Sequence, residues 1–149
     1  MKYVIVGSGV AGMTAALDLA RRNVGEIALY TEDKHPYYYR PRLTEFLAGG
    51  LTMDELVRRP LSWYKQRGIN VQLDTRVIGL RLEEAQVILE DGTAVPYDRL
   101  LLAMGSLPFV PPIKGADKPG LRTWRTLEDT LSLQQEAGQC GATLVIGGG

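Results

Sequence analysis

Lys2-Tyr3-Val4-Ile5-Val6-Gly7-Ser8-Gly9-Val10-Ala11-Gly12 opens the chain after its first methionine. Lys2 to Val6 is a short β-branched run closed by glycine and reads as a buried parallel strand. Val10 to Arg22 continues in a helical pattern, with Met13, Leu17 and Ala20 at helical spacing. Between them lies Gly7-Ser8-Gly9-Val10-Ala11-Gly12, a G-x-G-x-x-G turn. In such a turn Gly7 permits the sharp exit from the strand. Gly9 lets the backbone approach a pyrophosphate with no Cβ in the way, and Gly12 lets the helix pack closely on the strand. The free N–H groups and positive end of the helix then attract phosphate.

Working outward, Glu26 to Thr31 is a second apolar strand, which completes one βαβ unit. Asn23 to Gly25 ends the helix, and Gly25 suits the position after a helix end. Glu32 falls twenty residues after Gly12, where a carboxylate accepts hydrogen bonds from ribose hydroxyls. A structural glycine-rich turn with a surface glutamate would not require strand, helix and acid to fall in register.

Asp33 to Arg42 is a loop rich in proline and tyrosine, followed by a short helix over Leu43 to Ala48. Thr52 suits the cap of a helix through Asp54 to Arg58, and Pro60 interrupts it. Ser62 to Arg67 reads as a further helical turn or two, and Ile69 to Leu73 as a third strand. The texture then changes. Arg76 to Glu83 alternates, with Ile78, Leu80 and Leu82 on one side, and Gln86 to Glu90 alternates too. Asp91-Gly92 signals a tight turn into Thr93 to Tyr97. The expected fold is α/β and Rossmann-like: a parallel sheet with helices and an inserted antiparallel β-meander over about residues 74–98. Leu100 to Ala103 reads as another buried strand, Thr126 to Ala137 as a helix, and Thr143 to Ile146 as a final buried strand before Gly147-Gly148-Gly149.

Composition narrows the classes. The 149 residues carry 17 Lys plus Arg and 17 Asp plus Glu, a formal net charge of zero, which argues against a general nucleic-acid binder. One cysteine, Cys140, and one histidine, His35, leave no disulfide framework and no Cys- or His-rich metal site. No apolar run is long enough for a membrane span, and the N-terminus does not read as a signal peptide, so the cytoplasm is the expected location. Glycine is enriched, at 17 of 149 residues.

The chain resembles the FAD-binding region of the pyridine nucleotide-disulfide oxidoreductase superfamily, most nearly NAD(P)H:rubredoxin reductases and the flavin portion of NAD(P)H-dependent nitrite reductases. Four stretches carry the resemblance: the glycine turn with Glu32; His35-Pro36-Tyr37-Tyr38-Tyr39-Arg40-Pro41-Arg42-Leu43-Thr44-Glu45-Phe46-Leu47-Ala48-Gly49; Leu101-Leu102-Ala103-Met104-Gly105-Ser106-Leu107-Pro108; and Arg125-Thr126-Leu127-Glu128-Asp129. The resemblance implies that Gly7, Ser8, Gly9, Val10, Ala11 and Gly12 surround the FAD pyrophosphate and that Glu32 holds the adenosine ribose. It implies that Arg40 and Pro41 line the path to the flavin and that Val77 offers its backbone to adenine. Ala103, Met104 and Gly105 would wrap the cofactor, with Arg125 on the flavin side. Residues 1–141 would form the FAD-binding domain, and 142–149 the first strand and truncated glycine motif of an NAD(P)H-binding domain.

Three departures stand out. Met104 replaces the usual threonine of the A-T-G motif. Lys114 stands where proline is common. Glu45 occupies the place of a flavin-side lysine, for which Arg42 is a compensating candidate. There is no C-x₄-C redox pair, and Cys140 reads as a structural thiol. The implied activity is electron transfer from NAD(P)H through FAD to an acceptor such as a small rubredoxin-like protein. No NAD(P)H turnover is expected from this stretch alone. Two other readings stay open at this level: a single-domain NAD-binding regulatory module, and a non-enzymatic interaction protein on a decayed nucleotide fold.

Overall fold

The structure is a computed structural model that describes residues 1–139 and 141–147. In chain order the elements are β1 (Lys2–Val6), α1 (Val10–Arg22), β2 (Glu26–Tyr30), a 3-10 turn (Arg40–Arg42), α2 (Leu43–Leu47), α3 (Met53–Leu56), α4 (Leu61–Lys65), β3 (Ile69–Gln72), β4 (Val77–Arg81), β5 (Gln86–Leu89), β6 (Ala94–Pro96), β7 (Arg99–Leu102) and α5 (Leu127–Ala137). They form two compact units: Met1–Tyr38 with Val57–Ser106, and Tyr39–Leu56 with Leu107–Gly149.

The first unit is the expected α/β fold. Its parallel sheet has the order β3-β2-β1-β7, and a three-stranded antiparallel sheet has the order β4-β5-β6. Strand alternation sends successive β1 and β2 residues to opposite faces. Val4, Val6, Ala28 and Tyr30 pack with Val87, Leu89 and Val95 of the meander. Ile5, Ile27 and Leu29 pack with Met13 and Ala16 of α1 and Tyr64 of α4. The central strands are therefore apolar at every position because both faces are covered. Asn23, with φ 51°, takes the left-handed position that ends α1. That is the role expected of Gly25, and asparagine tolerates this conformation better than most residues.

Two sequence expectations fail for one reason. Leu100 to Ala103 does supply a parallel strand, but β7 is the sheet edge and Leu102 is 47% exposed. Thr143 to Ile146 forms no strand, and Leu144, Val145 and Ile146 are exposed. An apolar β-branched run is buried and ordered as a strand only where a neighbour completes its ladder and another layer covers it. The Ile78, Leu80 and Leu82 side of the first meander strand is likewise its exposed face. A register shift between Val77 and Gly79 accompanies the turn of β4 against β5.

In the second unit α2 lies against α5, and the Gln134 side-chain amide donates to the Phe46 carbonyl at 3.0 Å. Thr126 and Asp129 build a reciprocal capping box at the start of α5. Thr52 and Glu55 make the same arrangement at α3: Glu55 N–H donates to Thr52 Oγ1 at 3.3 Å, and Thr52 N–H donates to Glu55 Oε2 at 2.8 Å. Trp124 Nε1–H donates to Thr130 Oγ1 at 2.9 Å, which ties this partly exposed indole to α5. Cys140, Gly148 and Gly149 lie outside the described residues.

Candidate nucleotide-binding site

The strand order places a switch point beside β1. From β1 the chain moves outward through α1 to β2 and β3, then returns through the meander to β7 on β1's other side. In open α/β sheets, ligands sit outside the C-terminal strand ends at such a reversal. Here those ends are Gly7, Thr31 and Ala103. Gly7 N–H donates to Tyr30 C=O and Ala103 N–H donates to Val6 C=O, both at 2.8 Å, so both ladders extend into the loops.

Each glycine of the motif has a distinct observed reason. Gly7 has φ +105°, and a Cβ there would overlap the Ala103 carbonyl. At Gly12 a Cβ would overlap the Gly7 carbonyl and crowd Ile5 Cγ2, so α1 could not lie this close to β1. At Gly9 a Cβ would meet nothing within 4 Å, so the space in front of the turn is open to a ligand. Gly9 is the N-cap of α1, with no side-chain cap and no acidic residue in the first turn. The first bond of the helix runs from Met13 N–H to Gly9 C=O at 2.9 Å. The first-turn amides are thus left to a partner from outside the helix, at its positive end. Val10 and Ala11 are exposed at this mouth.

Ser8 is buried and does structural work. Its hydroxyl lies 2.9 Å from Thr31 Oγ1 and 3.3 Å from Asp33 Oδ2, and Asp33 N–H donates to Thr31 Oγ1 at 3.2 Å. This network pins the glycine turn to the end of β2. Glu32, between the two anchored residues, keeps an exposed carboxylate whose Oε2 lies 3.5 Å from Arg76 Nε. Next to Arg76, Val77 lies on the edge strand of the meander opposite Leu89. Leu89 gives its N–H to Thr93 and receives the Gly92 N–H, so the pair exchanges no hydrogen bond. Val77's backbone groups point to the open edge. Tyr30, at the end of β2, is held as a phenol because burial, and secondarily the Glu26 charge, push its pKa up.

The first unit therefore gathers Gly7, Ser8, Gly9, Val10, Ala11, Gly12, Glu32, Val77, Ala103, Met104 and Gly105 at or beside the C-terminal end of its parallel sheet. Arg40, Pro41 and Arg125 belong to the second unit. There Arg40 and Pro41 open the 3-10 turn, Arg40 half-buried and Pro41 exposed, and Arg125 N–H donates to Asp129 Oδ2 at 2.9 Å. Arg42 is engaged locally: its Nε lies 3.2 Å from Glu45 Oε2 and an Nη donates to the Glu55 carbonyl at 3.3 Å. Thr31, Asp33 and Arg76 were not singled out from the sequence. Thr31 and Asp33 flank Glu32, so their polar side chains next to the acid that follows β2 were the available signal; Arg76 had none. Among the described residues no group of three or more His, Cys, Asp or Glu could hold a metal, and no helix is long and apolar enough to cross a membrane.

The whole chain, residues 1–149, matches the pyridine nucleotide-disulphide oxidoreductase family. The chain belongs to this family. Its members are oxidoreductases that bind FAD and NAD(P)H. The ferredoxin–NAD(+) reductase component of the biphenyl dioxygenase system of Paraburkholderia xenovorans is 38% identical over 146 residues, covering 97% of this chain and 36% of that protein. The assimilatory nitrate reductase electron transfer subunit of Bacillus subtilis is 33% identical over 150 residues, covering 99% of this chain and 20% of that protein. The crystal structure of NADH:rubredoxin oxidoreductase from Clostridium acetobutylicum superposes with a TM-score of 0.82 at 26% identity, over 93% of this chain and 36% of that one. The chain spans well under half the length of these family members. The Rossmann-like fold, with its parallel sheet and antiparallel meander, is the family's.

Proposed function

We propose that this chain is the FAD-binding portion of an NAD(P)H-dependent flavoprotein oxidoreductase that passes electrons to a small electron-transfer protein of the rubredoxin or ferredoxin kind. One observation carries the reading: an uncapped α1 N-terminus opens at the sheet's switch point, with open space at Gly9 and an exposed Glu32 carboxylate beside it. The residues fit the cofactor. Amide N–H groups at the Gly9–Gly12 turn donate to the diphosphate oxygens, the Gly7 and Gly12 contacts hold that turn rigid, and the Glu32 carboxylate accepts hydrogen bonds from the ribose hydroxyls. Val77 presents edge backbone groups to the adenine, and Ala103, Met104 and Gly105 close the far side of the diphosphate. Arg40, Pro41 and Arg125 serve the flavin end, with cations that offset phosphate charge.

When bound, FAD supplies the redox chemistry, accepting a hydride and releasing electrons one at a time. The protein's part is position and electrostatics, and no side chain of this chain is required as acid, base or nucleophile. The oxidoreductase relatives named for ferredoxin and rubredoxin support the choice of acceptor class. Residues 142–149 read as the start of an NAD(P)H-binding domain, a reading supported by the apolar run Leu144 to Ile146, which forms no strand here and is left exposed.

Titration of the purified full-length protein with FAD tests the reading. A flavin absorption band that bleaches on addition of NADH is the expected result. A protein that takes up no FAD overturns it, and one that binds NAD without flavin supports the regulatory-module alternative.

A further inference from the structure

Arg76 stands beside Glu32 because the backbone puts it there. Past the end of the β2–β3 ladder the pairing continues: Thr31 N–H donates to Gln72 C=O, Thr75 N–H to Thr31 C=O and Asp74 N–H to Asp33 C=O, at 2.8–3.0 Å. On the other side, Arg76 C=O accepts the Glu90 N–H at 2.9 Å. Residues 74–76 are therefore fixed alongside residues 31–33, between the parallel sheet and the meander. The Arg76 and Glu32 side chains are 61% and 69% exposed, and their closest approach is 3.5 Å. An ion pair this open adds little to stability, so fold stability does not account for a cation at this point.

We infer that Arg76 is a positioning residue for the adenosine half of FAD. It holds the Glu32 carboxylate in the orientation that accepts the ribose hydroxyls, and its charge offsets the repulsion between that carboxylate and the nearby diphosphate. The inference rests on the FAD-binding reading and extends it to a residue outside the glycine motif. The chemistry follows from the charges: a carboxylate aimed at a ribose joined to a diphosphate places like charges near one another, and a guanidinium beside the carboxylate relieves this without blocking its second oxygen.

The test is a double-mutant cycle on FAD affinity in the full-length protein, stripped of flavin and titrated by fluorescence. Arg76→Ala is expected to raise the Kd for FAD about three- to tenfold, with Arg76→Lys recovering part of the loss. In a Glu32→Gln background Arg76→Ala is expected to add nothing further. Losses that multiply in the double variant, or an Arg76→Ala protein with unchanged Kd, overturn the inference while leaving FAD binding intact. A shifted urea midpoint of the flavin-free Arg76→Ala protein assigns the residue a structural role and also overturns it. A parent protein that takes up no FAD overturns the cofactor reading itself, which separates the two failures.

Discussion

Tyr3-Val4-Ile5-Val6-Gly7 and Thr143-Leu144-Val145-Ile146-Gly147 share one pattern, an apolar β-branched run closed by glycine, and end in different states. The first is a central strand with β2 on one side and β7 on the other, covered on both faces, and Ile5 is 1% exposed. The second has no strand structure, and Val145 is 78% exposed. Strand character is thus a property of the pair and the layer above it. The run supplies apolar side chains; the neighbours supply hydrogen bonds and burial.

Substitution at Gly12 breaks the ordered member of the pair most severely. Gly12→Val drives a branched side chain into the Gly7 carbonyl and Ile5, and is expected to lower stability by about 4 kcal/mol and to abolish FAD binding. Chemical denaturation and flavin titration check both. Direct comparison of the two runs comes next. Ile5→Ala is expected to cost about 2–3 kcal/mol, whereas Val145→Ala stays within about 0.5 kcal/mol in this chain. Equal costs in urea melts would show that the second run is packed after all.

The smallest effect lies in a local device that needs no sheet. The Glu55 carboxyl is held below its ordinary value of 4.5 by hydrogen bonds from the Thr52 N–H and hydroxyl. A depressed folded pKa means that the contribution to folding is complete above the ordinary value. It is lost as pH falls through the lower folded one. The Thr52 amide resonance is expected to follow that titration, and Glu55→Gln to remove its pH dependence, with β1 signals unmoved over the same range.

Much of the site was legible because its chemistry is local in sequence. Gly7, Gly9 and Gly12 act within one turn, and Glu32 follows at the end of the next strand, so spacing alone exposes them. Capping pairs such as Thr52 with Glu55 are similarly readable. The place of Ser8 in the glycine turn is legible, but not the inward turn of its hydroxyl to Thr31 and Asp33, which follows because a buried hydroxyl must find a partner. Arg76 has no sequence signal because its approach to Glu32 depends on residues distant in sequence brought together by backbone pairing beyond the β2–β3 ladder. Asn23, rather than Gly25, takes the left-handed end of α1, and its N–H bonds locally to the Ala20 carbonyl.

By itself the sequence determined the βαβ opening, the tight glycine turn and the meander, since each follows from periodicity or steric need within a few residues. Only the tertiary structure decided that β7 is an edge, that Thr143 to Ile146 stays outside any strand, and that Arg76 reaches Glu32. These depend on which segments find partners, and pairing between distant segments leaves no periodic signature in either one.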